Sequence, residues 1–390
     1  MKIKSYETFR CDAGWRTFSF LKLVTDSGPV GWSEYNESFG SPGLAGVIDA
    51  LMPFVIGMDP MDLELMNAVM ATKSTQSRGG VVRQAIAAIE NAMLDIKGKS
   101  LGVPVYQLFG GKLRDRIPVY WSHCGSYRMR NAEMVGEPQV RTYDDFTKVG
   151  AEVKAKGFNC LKTNIAIEKA DGTIEAYRPG FVVGRGFPER NWDQFIADSA
   201  AKTVEAFRKG CGPDVGVMLD TNFHFRTEGF RRIAEAVGPT KLTWLELDAH
   251  DPKSIALIRR DSPVPIASGE TLLERRDFLP YFEAYAFDTA IVDVVWNGFY
   301  ESLKIAAMAD VYEVNVAPHN FYGHLSSAIS AHFCAAVPNF RIMEIDIDSV
   351  KWRDEFFLDV PRIEKGEYVL STKPGWGCEP NEDAIRKRRM

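Results

Sequence analysis

At 390 residues, 45% hydrophobic and 25% charged, the chain has an ordinary globular composition and enough length for one large barrel plus a smaller domain. A net charge of −5 gives no electrostatic footprint for nucleic acid, and no apolar run approaches the length of a membrane span. Cysteines 11, 124, 160, 211, 334 and 378 form no Cys-x-x-Cys pair, and Met1-Lys-Ile-Lys-Ser-Tyr6 lacks the apolar core of a signal peptide. Reduced thiols and a cytoplasmic location are therefore expected, with no membrane or nucleic-acid partner.

In chain order, residues 1–36 alternate apolar and polar around Asp26-Ser-Gly-Pro29, which predicts a hairpin. From 43 to 109 the spacing turns helical: Ala85, Ile86, Ile89, Met93 and Ile96 recur at three and four residues, as on one helix face. The two patterns predict a small α+β domain over 1–115. From Ile117 strands alternate with helices, which points to parallel βα units. Strands are expected at 117–121, 160–164, 215–220, 242–246, 264–268, 289–293, 313–317 and 341–345, with helices at 192–208, 231–236 and 302–309. Eight strands within 116–350 suit a (β/α) barrel; no Gly-x-Gly-x-x-Gly turn follows the first strand to argue for an open dinucleotide-binding sheet. The polar stretches 125–142 and 169–191, with Gly, Pro and several Arg, read as rim loops, either a lid or plain solvent loops.

Three acidic residues close apolar runs in step: Asp220 after Val215-Gly-Val-Met-Leu, Glu246 after Leu242-Thr-Trp-Leu, and Glu270 after Val264-Pro-Ile-Ala-Ser-Gly. At successive parallel strand ends they share the C-terminal rim, where such barrels do their chemistry. Three crowded carboxylates repel unless a hard cation neutralises them, and oxygen ligands with room for water and substrate suit Mg²⁺. Strand two ends Lys162-Thr-Asn164, and a lysine at the inward end of a buried strand is costly unless it meets anions. Asn222 and His224 follow Asp220, within a few residues of the expected cation. Asp293 on strand six and His319 after strand seven form a candidate dyad, the carboxylate orienting the ring as a general base. Glu344 ends strand eight.

The remaining histidines divide by context. His224 is read as either a proton donor or a loop residue, and His123 as a substrate contact or a loop cap. His324 is an alternative base in a shifted register. His332 is expected to pack within a helix and His250 to face solvent.

The segment Ala87-Ala-Ile-Glu90-Asn-Ala-Met-Leu-Asp95-Ile-Lys-Gly98-Lys99, running on to Pro104 and Gly110-Gly111, resembles the linking signature of the mandelate racemase and muconate lactonizing enzymes of the enolase superfamily. The carboxylate triad, Lys162-x-Asn164, Pro318-His319 and the tail Thr372-Lys-Pro-Gly375-Trp-Gly377 extend the resemblance over nearly the whole chain, most closely to galactonate-dehydratase-type acid-sugar dehydratases. The resemblance implies a (β/α)7β TIM-like barrel with an N-terminal α+β cap completed by a C-terminal segment, 351–390. It implies Mg²⁺ on Asp220, Glu246 and Glu270, and His319 with Asp293 as base. Glu344 would hydrogen-bond the substrate carboxylate and Lys162 would neutralise it.

Departures from that pattern bear on the reaction. Asn222 stands where the galactonate type has histidine, with His224 two residues later. The usual Glu-Glu-Pro is Glu246-Leu-Asp248, and Asn164 replaces the second lysine that serves many racemases as a base on the opposite face. A one-base, Mg²⁺-dependent dehydratase converting an aldonate or aldarate to the 2-keto-3-deoxy acid is expected, with epimerase, racemase or lactone cycloisomerase as the enzymatic alternatives and a sugar-acid-binding pseudo-enzyme as the non-catalytic one. Substrate contacts are expected from Asn164, Asn222, Glu344, Arg16, Trp15 and His123. Asn36, Glu37 and Phe39 should join Trp15 and Arg16 over the mouth. A homo-oligomer is expected.

Overall fold

Strands Ile3–Asp12, Thr17–Thr25 and Val30–Tyr35 form an antiparallel meander in the computed structural model, which describes residues 1–179, 181 and 190–390. The predicted hairpin is its second and third strands; the first strand pairs alongside in register from Asp12↔Thr17. Part of the predicted rim loop at 169–191 lies outside the described residues, namely 180 and 182–189.

Helix Gly80–Leu101 packs on this sheet and is buried on more than the expected face. Its polar positions are joints. Asp95 accepts from the backbone N–H groups of Trp32 (2.9 Å) and Trp376 (3.0 Å) and pairs with Lys99 (2.8 Å). Glu90 accepts from Tyr300 N (2.8 Å), and Asn91 from Phe299 N (2.9 Å), at the start of barrel helix Phe299–Val311. The signature glycines serve this packing: a Cβ on Gly98 would stand 2.9 Å from Gly375 Cα, and Gly375 itself has φ +71°. The helix is thus clamped between cap sheet, barrel and C-terminal tail.

The barrel strands are Arg116–Ser122, Cys160–Asn164, Gly216–Asp220, Trp244–Glu246, Ile266–Ser268, Thr289–Asp293, Asn315–His319 and Met343–Asp346, numbered one to eight below. They pair in parallel from one to seven, and strand eight closes the ring onto strand one from Met343↔Val119 to Asp346↔Ser122. Strand seven meets the segment leading into strand eight through the bridge Val316↔Phe340. Several elements differ in extent from the periodicity. Strands four and five begin two residues late, and strand seven runs on to His319 because Pro318 and His319 continue in register with Val292 and Asp293. The three expected helices are longer, Gln194–Cys211, Thr227–Val237 and Phe299–Val311, the first capped by Asp193.

Inside the barrel, Tyr120, Cys160, Met218, Trp244, Ala267, Ile291, Ala317 and Ile342 form one buried apolar cluster, with Tyr120 edge-on to Trp244 at 5.8 Å. Strand side chains alternate faces with period two. Two residues further along these runs stand Ser122, Lys162, Asp220, Glu246, Asp293, His319 and Glu344, so the apolar plug carries a polar layer above it.

After strand eight the chain returns to the cap. The hairpin Ile363–Glu364/Glu367–Val369 pairs antiparallel with the start of strand one, and the last helix, Glu382–Lys387, lies on the first cap strand through Arg386 and Glu7 (2.9 Å). All six cysteines are buried and unpaired. No helix among the described residues is long and apolar enough to cross a membrane.

Two measurements test this account of the cap joint. Asp95→Ala leaves two buried N–H groups without their acceptor, while Lys99 keeps Glu379 (2.6 Å), so urea unfolding followed by far-UV circular dichroism should show a loss of about 2–5 kcal/mol. His332, between Tyr106 (5.0 Å) and Trp376 (5.3 Å), accepts from Tyr106 N through Nδ1 at 3.3 Å, and burial pushes its pKa down to about 3. The unfolded chain takes that proton near 6.5, so the contribution is intact above 6.5 and is lost as pH falls towards 3. Melting temperature should rise with pH from about 3 to 6.5, and that rise should flatten in His332→Gln.

Candidate active site

Lys162 occupies the middle of the polar layer, almost wholly buried. Its Nζ lies 2.8 Å from Glu246 Oε1, 3.0 Å from Glu344 Oε1 and 3.7 Å from Asp220 Oδ2, above the Tyr120 ring. Each carboxylate has further donors: Trp244 Nε1 to Glu246 (3.0 Å), Asn222 N to Asp220 (2.8 Å), and Ser122 Oγ with Asn320 N (2.7 Å) to Glu344. Burial opposes charge on Lys162, yet Glu246 and Glu344 hold its proton affinity well above the usual lysine range. Burial likewise opposes charge on Glu344, but Lys162 and His319 bring it down to about 2.

The second group lies across the mouth. His319 Nδ1 meets Asp293 Oδ2 at 2.7 Å, and Nε2 faces Glu270 Oε2 at 3.4 Å. Asp293 also accepts from the Tyr322 hydroxyl and from Trp296 N (2.7 Å), which fixes the carboxylate that fixes the ring. Burial favours a neutral imidazole, but Glu270 and then Asp293 outweigh it and push His319 up to about 10. Glu270 reaches the layer one position later than period two allows, across Gly269 at φ +115°, a conformation that favours glycine.

Asp220, Glu246 and Glu270 are buried, and each carboxyl is pushed up by burial and by its acidic neighbours. Among the described residues no three potential ligands converge as a metal site: Lys162 draws Asp220 and Glu246, and His319 draws Glu270. The donor chemistry nonetheless fits a hard dication, since the group carries more negative charge than Lys162 alone offsets and its atoms are carboxylate oxygens. Asp248, buried and pushed well up by burial and by Glu270, Glu246 and Asp220, adds a fourth carboxyl at the same place.

The other expected residues divide into rim contacts and braces. Asn164 Nδ2 donates to Asp220 O at 3.3 Å and braces strand two on strand three. Asn222, at φ +45°, serves Asp220 with its backbone N–H. His224 is buried among Tyr177, Phe181 and Phe223, and burial and Arg178 hold it down to about 4, so it is neutral at pH 7. From the cap, Arg16 crosses to strand eight: Nη1 meets Asp346 Oδ2 at 3.0 Å and the Phe321 carbonyl, and the guanidinium lies over Tyr127. His123 holds the other Asp346 oxygen at 2.9 Å and stacks on Tyr127, which Trp15 also contacts. Phe39 reaches the rim at Phe321, 6.3 Å between ring centres.

Three expectations need correction. Asn36 does not cover the mouth, because its side chain closes its own turn with Ser38 N (3.0 Å) and Phe39 O (2.9 Å). Glu37 turns to Arg10 at 3.7 Å. His324 is not placed as a base: it starts helix His324–Ala336, its Nε2 meets Asp354 at 2.7 Å, and burial pushes it down to about 4. His332 is buried in that helix and His250 is exposed, as expected.

The sequence reading passed over Ser122, Asp346, Tyr127, Tyr322 and Asp248 as site residues. Period two from Tyr120 and from Glu344 would have found Ser122 and Asp346. Nothing in the local pattern singles out Tyr127 or Tyr322.

A capped parallel barrel with a carboxylate layer facing a histidine–aspartate pair defines a class of acid–base enzymes, and comparison with known proteins gives the family. Residues 9–110 match the mandelate racemase/muconate lactonizing enzyme N-terminal domain, and 147–384 match the enolase C-terminal domain-like family. The chain belongs to the enolase superfamily. It is 30% identical to a D-galactonate dehydratase of Verminephrobacter eiseniae, over 100% of this chain and 94% of that one. It is 27% identical to a D-xylonate dehydratase of Haloferax volcanii, over 94% and 84%. A crystal structure from Burkholderia xenovorans strain LB400, of a protein provisionally named an L-alanine-DL-glutamate epimerase and bound to magnesium and fumarate, superposes with TM-score 0.96 at 47% identity, covering 100% of this chain and 96% of that one.

Lys162→Met should expose how the layer is balanced. With its one lysine gone, the cluster is expected to destabilise the protein in EDTA by about 3–5 kcal/mol, because buried carboxylates lose their counter-charge. Added Mg²⁺ should recover part of that loss in thermal melts.

Proposed function

We propose that the protein is a Mg²⁺-dependent sugar-acid dehydratase, converting an aldonate or aldarate to the 2-keto-3-deoxy acid. The observation that carries this reading is a one-sided arrangement. Of the two imidazole–carboxylate pairs beside the layer, His123–Asp346 is tied to Arg16, whereas His319–Asp293 turns a free ring edge to Glu270; strand two offers Lys162 held by three carboxylates and an asparagine that braces Asp220.

Asp220, Glu246 and Glu270 would hold the Mg²⁺, which supplies positive charge to the carboxylate whose α-proton departs. Lys162 and Glu344 orient that carboxylate, Lys162 as a charge and Glu344 as an acceptor fixed by Ser122 and Asn320. His319 takes the α-proton on Nε2, with Asp293 on Nδ1 setting the tautomer. The Cα–H electron pair becomes the Cα–Cβ double bond, the β-hydroxyl leaves with a proton as water, and the enol product tautomerises to the keto acid. Protonated His319 is the better donor for that water, since His224 is neutral and caged by aromatic rings. His319 is a base only when Nε2 is free, and Glu270 is the group that holds a proton there, so any neutralisation of Glu270 favours abstraction.

The dehydratases at 27–30% identity support elimination, and a relative with magnesium and a dicarboxylate supports the charge pattern. The epimerase reading is favoured by the name of that same relative. It requires a second base on the opposite face, and Lys162, pinned by Glu246 and Glu344, is poorly suited to accept a proton. Cycloisomerisation and simple sugar-acid binding have no specific feature in their favour.

Incubation with sugar acids in D₂O, followed by NMR, tests the reaction class: a 2-keto-3-deoxy product and no C2 epimer are expected. A C2 epimer carrying solvent deuterium, without keto acid, would overturn elimination. His319→Asn should lower α-proton exchange and dehydration together by about 10²–10⁴-fold. Asp220→Asn and Glu246→Gln should weaken calorimetric Mg²⁺ binding while leaving the circular dichroism spectrum unchanged; undiminished affinity in both would remove the ligand assignment.

A further inference from the structure

The loops after strands one and two meet beside the barrel mouth around a cavity of about 400 Å³. Its walls are built rather than loose. Gln139 Nε2 donates to Met129 O (3.2 Å), and Val140 N to Arg128 O (3.3 Å). The loop after strand two carries an antiparallel hairpin, Ala166–Glu168 with Ile174–Ala176, tied to the first loop by Ile174 N to Arg141 O (2.8 Å) and to strand two by Tyr177 N to Ile165 O (2.8 Å).

The charge in this cavity is unbalanced. Arg130, Arg141, Lys169 and Arg178 line it against Asp171 and Glu175. Asp171 is engaged in its own turn, accepting from Thr173 N (2.9 Å) and Thr173 Oγ1 (2.6 Å). Among the described residues neither Arg130 nor Arg178 has a carboxylate partner. Burial, and then the charge of Arg178, pulls Arg130 down to about 10. Arg130 is exposed at the cavity's edge and Arg178 is partly buried, and two guanidiniums lining one cavity without an acid partner suit a planar anion that both can chelate.

The pair's position connects it to the site. Arg178 follows Tyr177, whose ring lies 5.7 Å from that of His224, and the Arg178 charge reaches the imidazole. Arg130 N donates to Tyr127 O (3.2 Å), and the Tyr127 ring stacks on His123. The cavity therefore adjoins the side of the mouth formed by strands one to three, opposite His319 and Asp293.

We infer that Arg130 and Arg178 form a second anion subsite for the distal carboxylate of a dicarboxylic sugar acid, making aldarates rather than aldonates the substrate class. The choice of substrate rests on the dehydratase reading; the anion subsite does not.

The test compares galactarate and glucarate with galactonate and gluconate, which lack the distal carboxylate, and with 6-phosphogluconate as the phosphate-bearing arm. Binding is measured by calorimetry with Mg²⁺ in a His319→Asn background, so that affinity is read without turnover, and kcat/KM is measured in parallel with His319 intact. The diacids should bind tightest. Arg178→Met and Arg130→Met should each weaken diacid binding by about 10- to 100-fold while leaving the monoacids unchanged. Arg178→Lys should fall between, keeping charge but losing the fork. Melting temperatures of both methionine variants without ligand should be no lower than the parent's, because relief of like charge offsets lost packing.

Equal affinity of diacid and monoacid in the parent, or equal weakening of both by the substitutions, overturns the subsite. Preference for 6-phosphogluconate over the diacids overturns the carboxylate assignment. Arginine-dependent diacid binding without turnover of any sugar acid upholds the subsite and sinks the dehydratase reading, which separates the two.

Discussion

A buried ammonium ion organises the barrel mouth. Removing Lys162 from water costs several kcal/mol, and only carboxylates with excellent geometry and satisfied second partners offset that cost. Glu246, Glu344 and Asp220 supply them, each fixed in turn by Trp244, by Ser122 and Asn320, or by the Asn222 amide. The resulting network joins strands one, two, three, four and eight, and the Asn320 contact links it to the end of strand seven. Its floor is the apolar plug around Tyr120 and Trp244, whose indole N–H is spent on Glu246, so the plug and the polar layer are one construction.

The layer carries more acid than base, and that imbalance accounts for its chemistry. Asp220, Glu246, Glu270, Asp248 and Asp293 exceed what Lys162 and a protonated His319 neutralise. In a low-dielectric interior the excess has two outlets, protons or a cation. The upward pressure on Asp220, Glu246 and Glu270, and the proton drawn onto His319, are the first outlet; a hard dication is the second.

Cap and barrel are not independent bodies around this site. Glu34, on the third cap strand, accepts from Gly323 N (2.7 Å) and Ser326 N (3.0 Å), capping the helix that follows His319. Burial pushes this carboxyl up to about 7. Arg16 meets Asp346 two residues beyond Glu344, and Asp95 holds both the cap sheet and the returning tail. Substitutions in the cap therefore act on the strand-seven and strand-eight ends as well as on whatever substrate the cap covers.

Period-two alternation and the regular interval between acidic strand ends were local properties, and they made the barrel and most of the polar layer legible in the sequence: Lys162, Asp220, Glu246 and Asp293 stand where the pattern put them, while His319 is the last residue of strand seven rather than beyond it and strand eight runs two residues past Glu344. Glu270 was legible by interval, although its inward direction depends on the Gly269 conformation. The clamp at Asp95 showed as a motif, but its purpose did not, because its partners Trp32 and Trp376 are far away along the chain. Loop geometry was the main loss. Asn36 and Glu37 are absorbed by their own turn and by Arg10, His324 is drawn to Asp354, and Tyr127, Tyr322 and the Arg130–Arg178 pair acquire meaning only through neighbours from other loops. Alternation and helical spacing are dictated by backbone geometry within a few residues, so the chain alone determines them. Which charges meet across a barrel mouth depends on the closure of the ring and the path of its loops, which only the tertiary structure decides.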